Sequence, residues 1–171
     1  MGELKFAPTI VGEDFSPPGN NMSELTDLYQ EVILDHNRRP RNFRRLEGAS
    51  HHAEGYNPLC GDRVTVFLQI ADDRIADITF EGTGCAISKA SASLMTDAVK
   101  GHTVIEALDL FDRVHDMLTT PIDQPVDEGS VGKLAVLSGV REFPTRVKCA
   151  SLAWHTLKSA ITSPGEVART E

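Results

Sequence analysis

Four side chains have the types and settings to do chemistry together: Cys60, Asp62, Cys85 and Cys149. Cys60 and Asp62 flank Gly61, and in an extended or turning loop residues two apart can point the same way. Gly61 lets the backbone bend between them without a Cβ clash. Cys85 follows Gly82-Thr83-Gly84 and stands where a helix opens. Free N–H groups and the helix dipole favour a thiolate there. Cys149 falls early in the last helical stretch. Three thiolates and a carboxylate make a four-ligand set. Thiolates suit zinc and iron, and zinc takes four ligands tetrahedrally. No Cys-x-x-Cys pair is present, and by spacing alone three inert core cysteines account for the pattern equally well. The glycines beside Cys60 and Cys85 and the neighbouring carboxylate weigh against that reading, because a core cysteine needs neither.

These residues must be positioned by a small number of elements. Ser23 can cap a helix with Leu25, Leu28, Tyr29, Val32 and Ile33 on one face, and Pro40 must stop it. Val64, Val66, Leu68 and Ile70 alternate with Arg63, Thr65, Phe67 and Gln69. After Ala71-Asp72-Asp73-Arg74, Ala76, Ile78 and Phe80 alternate with Asp77, Thr79 and Glu81. Period two on both sides of a turn is an antiparallel hairpin with one buried face. Residues 51–56 add a short third strand. The period then becomes helical, with Ile87, Ala90, Leu94 and Ala98 on one face and Gly101 as the stop. Thr103 and Glu106 form a capping box for a helix that turns Val104, Leu108, Phe111 and Leu118 inward. A Pro- and acid-containing loop over 121–132 and a short helix over 133–138 follow. Pro144 then opens a last helix with Val147, Ala150, Trp154, Leu157 and Ile161 inward. The expected fold class is α+β, a small antiparallel sheet of about three strands covered by helices. The hairpin puts the start of one strand beside the end of the next, so Cys60 and Cys85 meet at one end of the sheet, and Cys149 can reach the same end.

The remaining composition narrows the setting. The chain has 171 residues, 40% of them apolar and 25% charged, with a net charge of −8. This is one globular domain by length. Its charge argues against a general nucleic-acid-binding surface, and no apolar run is long enough for a transmembrane helix. An odd count of 3 cysteines in a chain this long points to a reducing cytoplasm, where cysteines bind metal or react. Residues 1–21 are rich in Pro and Gly without periodicity and read as a flexible extension. The domain spans 22–163, with 164–171 as a tail.

The motifs carry a resemblance. Asn57-Pro58-Leu59-Cys60-Gly61-Asp62, Gly82-Thr83-Gly84-Cys85-Ala86-Ile87-Ser88 and Val147-Lys148-Cys149-Ala150 are similar to the three cysteine motifs of the IscU/NifU-type iron–sulfur cluster assembly proteins. Leu34-Asp35-His36 and Pro40-Arg41-Asn42 resemble the family's first helix and the loop after it. In the IscU branch a histidine ligand precedes the third cysteine, and here that position is Lys148. The long stretch between Cys85 and Cys149, and Gly139-Val140-Arg141-Glu142-Phe143-Pro144 before the third motif, resemble the SufU branch. That resemblance implies zinc held by Cys60, Asp62, Cys85 and Cys149, and sulfur accepted from a SufS-type cysteine desulfurase for downstream iron–sulfur assembly proteins. Cys60, on a loop, is the expected sulfur acceptor, with Cys149 second. Whether this is a zinc-dependent sulfurtransferase, an IscU-like scaffold carrying iron or a [2Fe–2S] cluster, or a structural zinc domain stays open at this point.

Other groups have plainer readings. His51 and His52 read as a solvated loop pair, and His36 as a helix-end residue whose charge suits the C-terminal dipole. Arg38, Arg39, Arg41, Arg44 and Arg45 form a locally basic stretch, either solvated or a docking face for an acidic surface. Ser88, Ser91 and Ser93 have no base near them in sequence. Gly-Thr-Gly-Cys lacks the lysine of a phosphate-binding loop.

Overall fold

The computed structural model describes residues 21–169, with side chains from residue 27 onward. Nearly all of the stretch read as an extension thus lies outside the described residues. The elements run α1 (Asn21–Arg38), β1 (His51–Asn57), β2 (Asp62–Ala71), β3 (Arg74–Thr83), α2 (Ala86–Val99), α3 (Val104–Thr119), 3-10 segments at Glu128–Ser130 and Gly132–Glu142, α4 (Pro144–Thr162) and β4 (Val167–Arg169). The strands form one sheet in the order β3-β2-β1-β4, antiparallel except for β1 with β4. This is the α+β architecture expected, with one strand more. The parallel β4 lies in the stretch read as a tail, and three residues are too few to show a period.

The β2–β3 hairpin turns at Asp72 and Asp73, whose φ of 54° and 61° are both left-handed. That geometry follows the right-handed twist of the strands, and Asp tolerates it. Val66 pairs with Phe80 and Gln69 with Asp77, but Ile70 then pairs with Ile75, leaving Ala76 as a bulge. The bulge changes which side chains face inward near the turn. Ile75 is fully buried and Ala76 exposed, so the inward set is Ile75, Ile78 and Phe80, not Ala76, Ile78 and Phe80. The two flanks are partly occupied: Phe80 N–H donates to Asn42 O at 3.0 Å on the β3 side, and β4 pairs with three residues of β1. A short outer strand such as β4 offers little template for pairing with other chains.

Helix α4 crosses the sheet so closely that a Cβ on Gly55 would meet the Thr156 side chain and Leu152. Helix α2 lies at the centre of the helical layer. Every residue from Ala90 to Thr96 is buried, so its burial extends well beyond the single face its sequence suggests. Its small side chains allow close approach on both sides, and Ser91 Oγ donates to Ala150 O in α4 at 2.6 Å. Toward α1, Ser93 Oγ accepts Arg41 N–H at 2.8 Å and meets His36 Nδ1 at 2.7 Å. A hydroxyl has one hydrogen and two lone pairs, so the Ser93–His36 bond forms with either ring tautomer. His36 is only 4% exposed, and burial, followed by the Arg41 charge, pulls its pKa down to about 4. The helix-end cation read from sequence is thus a buried imidazole that is neutral at pH 7. Helix α1 also extends to Asn21, upstream of Ser23, so Ser23 is not its cap.

The capping box at Thr103 is formed, with Glu106 N–H donating to Thr103 Oγ1 at 3.1 Å and Thr103 N–H to Glu106 Oε1 at 2.9 Å. Four of the five clustered arginines pair within the chain: Arg39 and Arg41 with Asp35, Arg44 with Asp77, and Arg45 with Glu47. These partners answer much of the cluster's charge, so the stretch is mostly a self-paired surface.

Candidate metal centre

Strand β1 ends at Asn57, and β2 begins with its register partner Asp62. Four residues join them. Gly61 N–H donates to Asn57 O at 2.8 Å and Leu59 N–H to Asn57 Oδ1 at 3.2 Å. The turn puts Gly61 at φ 75°, a left-handed conformation that glycine adopts without strain. Cys60 is thereby held out at the tip and is exposed, whereas Asp62 is turned inward and is 1% exposed.

The neighbouring strand brings the next motif to the same end. Arg63 pairs with Thr83, and the chain passes through Gly84 so close to the carboxylate that a Cβ there would lie 2.7 Å from Asp62 Oδ1. Cys85 N–H donates to that oxygen at 3.1 Å. Cys85 is the N-cap of α2, and its Sγ accepts Ser88 N–H at 3.4 Å. Helix α4, started by Pro144 at its first turn, delivers Cys149 from above, fully buried. Its Sγ lies 3.5 Å from Cys60 Sγ.

Donor atoms of Cys60, Asp62 and Cys149 all lie within 4.8 Å of one another. Cys85 joins them through its backbone N–H, while its sulfur is engaged in capping. Burial is the main force raising the Cys149 thiol pKa, and contacts with Asp62, Cys60 and Cys85 act in the same direction. Negative charge on one of these groups disfavours it on the next, and a cation would relieve all of them. The donor set fits zinc: two thiolates about 2.3 Å from a tetrahedral ion are about 3.8 Å apart, close to the Cys60–Cys149 separation.

The histidines have other engagements. His51 Nδ1 meets Ser50 Oγ at 2.8 Å, and His52 stacks on Phe67. His102 pairs with Glu106, while His115 and His155 cluster with Phe111. Both His51 and His52 belong to β1 rather than a loop. Two residues at the centre have roles that the sequence motifs do not assign. Asn57 is fully buried against Asp62 and Cys149, and Gly84 makes room for the carboxylate. Their signals were present, a polar residue closing a strand and a glycine beside a cysteine, but neither names its tertiary neighbour.

Comparison with known proteins agrees with this geometry. Residues 28–150 match the NifU-like N-terminal domain family. The iron–sulfur cluster assembly scaffold protein IscU of Streptococcus pyogenes serotype M1 is 41% identical over 140 residues, which cover 82% of this chain and 86% of that protein. The zinc-dependent sulfurtransferase SufU of Bacillus subtilis is 39% identical over 140 residues, covering 81% and 92%. Among solved structures, a Fervidobacterium islandicum protein described as an iron–sulfur cluster assembly scaffold for the SUF system superposes with a TM-score of 0.71 at 36% identity, covering 77% of this chain and 95% of that one. The N-terminal part of a NifU-like protein from Brucella abortus gives 0.70 at 27% identity, covering 80% and 94%. With its motifs at one end of a matching sheet, the chain belongs to the NifU-like N-terminal domain family, whose relatives here include proteins named IscU and SufU.

Proposed function

We propose that the chain serves iron–sulfur cluster assembly as a zinc-bound sulfur acceptor of the SufU type. The observation that carries this reading is the contrast within the centre: an exposed loop cysteine, Cys60, sits 3.5 Å from a fully buried one, Cys149. Cys60, Asp62, Cys85 and Cys149 would hold the zinc, which would supply thiols already deprotonated at neutral pH. Cys85 at a helix start and Cys149 within a helix are suited to stay. Cys60, on a turn with a left-handed glycine, is suited to leave. Asp62 is a single hard oxygen among soft sulfurs and suits an exchangeable site.

The sulfur step balances. The Cys60 thiolate attacks the outer sulfur of a persulfide on a cysteine desulfurase. A new S–S bond forms at Cys60, the donor's S–S bond breaks, and the donor cysteine leaves as thiolate. A cleft of about 500 Å³ is lined by Lys148, Arg141 and Arg169 and by no acidic side chain. On a chain of net charge −8, such a cationic cleft suits an acidic patch of the partner.

The test is to mix the protein with a SufS-type desulfurase and free cysteine. Alanine release should accelerate, and peptide mass mapping after one turnover should find the extra sulfur on Cys60. Sulfur on Cys149 alone, with Cys60→Ser still accepting it, would overturn the assignment. The scaffold names of the Streptococcus and Fervidobacterium relatives favour a second reading, assembly of a [2Fe–2S] cluster on the same side chains. Brown protein absorbing visible light when purified without added iron would select it, and colourless protein with about one zinc per chain would select the relay.

A further inference from the structure

The converging acids are accompanied by one buried amide. Asn57 closes β1 and is 0% exposed, and its carboxamide is used at both ends. Oδ1 accepts Leu59 N–H at 3.2 Å, which shapes the loop that carries Cys60. That bond also orients the amide, because only the oxygen can accept from a backbone N–H. Nδ2 therefore points the other way, into the centre. It lies 3.5 Å from Asp62 Oδ2 and 3.7 Å from Cys149 Sγ. Among the described residues these are the two hydrogen-bond acceptors that Nδ2 meets.

We infer that Asn57 is a positioning residue of this centre, whose two amide hydrogens hold the Asp62 carboxylate and share the charge of the Cys149 sulfur, and so tighten the grip on a metal. This rests on the metal-site reading above. A carboxylate and a thiolate buried side by side lose their water and need donors from the protein. Asp62 Oδ1 has the Cys85 N–H, and Oδ2 has Asn57. For the Cys149 sulfur the neighbouring donor group is the Asn57 amide. The distances are long for a neutral pair, and negative charge on the acceptors would strengthen and shorten both contacts. Removing a partner of this kind from a metal ligand commonly costs 10- to 100-fold in metal affinity.

The loop-shaping role and the donor role can be separated by substitution. Asn57→Asp keeps the shape and the oxygen that accepts Leu59 N–H, and Asn57→Ser keeps a shorter, uncharged oxygen. Both remove the two amide hydrogens. The full chain and both variants are titrated with zinc against a chromophoric chelator and loaded with Co(II) to record the thiolate-to-metal absorption, and the metal-free forms are melted. The expected result is a zinc dissociation constant raised by roughly 10- to 100-fold in both variants. The Co(II) band should be displaced, and metal-free melting of Asn57→Ser should stay close to the parent. Parent-like affinity and spectrum in Asn57→Ser would overturn the inference, as would tighter binding in Asn57→Asp. So would a metal-free fold that collapses in both variants in step with the affinity. A parent chain that takes up neither zinc nor Co(II) would instead strike down the metal site itself, and this inference with it.

Discussion

The two ends of the β2–β3 hairpin are built on opposite principles. At the turn end, backbone meets backbone. Ile75 N–H donates to His102 O, Gly101 N–H to Ile75 O and Val104 N–H to Asp73 O, each at 2.8 Å. Arg74 adds a bond to Gly101 O at 2.6 Å, and the capping box closes the start of α3. Donors there find acceptors and no ligand is wanted. At the other end of the same strands, Cys60, Asp62 and Cys149 bring their donor atoms within 4.8 Å. Few donors answer them, and two of the three are buried. The turn end stabilises the fold by itself. Under the zinc reading proposed above, a cation would complete the cysteine end, giving a single sheet one closed and one open terminus.

The largest expected effect separates the two ends through the metal. If zinc ties three distant segments together, a free-metal concentration of about 100 times the dissociation constant stabilises the protein by about 2.7 kcal/mol. Stripping it should lower the melting temperature by about 5–10 °C for a chain of this size. Cys149→Ser should behave like the stripped protein whether or not zinc is added. An unchanged melting curve after verified removal would show that the cysteine end is as closed as the turn end.

Acid tests a region remote from both ends. His36 has a folded-state pKa lowered to about 4 against an unfolded value near 6.5. Stability is then fully present above about pH 6.5 and is lost as pH falls toward 4, since only the unfolded chain takes up the proton. The loss at pH 5 should be about 2 kcal/mol. Denaturant titrations from pH 7 to 4.5 should show it, and His36→Gln should flatten the profile. An unchanged slope in that variant would place the acid sensitivity elsewhere, with the open end as the first suspect.

The smallest effects sharpen the contrast by matched substitutions. Gly84→Ala places a Cβ 2.7 Å from Asp62 Oδ1 and should displace the carboxylate, weakening zinc by about tenfold, the lower range for disturbed outer partners. Thr103→Ala removes the cap at the turn end and should cost about 1 kcal/mol, or about 2–4 °C in melting, with zinc affinity unchanged. Chelator competition and calorimetry on the two variants should give opposite patterns. Equal effects on zinc from both would dissolve the distinction between the ends.

Local physics was legible along the chain. Alternation announced β2, Thr103 and Glu106 announced α3, Pro144 announced the first turn of α4, and Gly101 stopped α2 with φ 86°. Each is decided by neighbours within a few residues, which the sequence lists in order. The settings of Cys60 and Cys85 were legible too, because their glycine and carboxylate neighbours are adjacent in the chain. What depended on distant partners was not legible. The bulge at Ala76 that brings Ile75 inward depends on the pairing of two strands. The lowered pKa of His36 depends on its burial in the packed chain, and β4 depends on the free edge of β1. At the centre itself, spacing left metal binding and an inert core equally open, and the resemblance to the IscU/NifU-type proteins marked Cys60, Asp62, Cys85 and Cys149 as a set. Only the tertiary structure decided that the Cys85 sulfur caps a helix, that Gly84 yields its space to a carboxylate, and that Asn57 turns its amide toward Asp62 and Cys149. Those outcomes follow from which groups are excluded from water together, and burial is a property of the packed chain rather than of any segment of it.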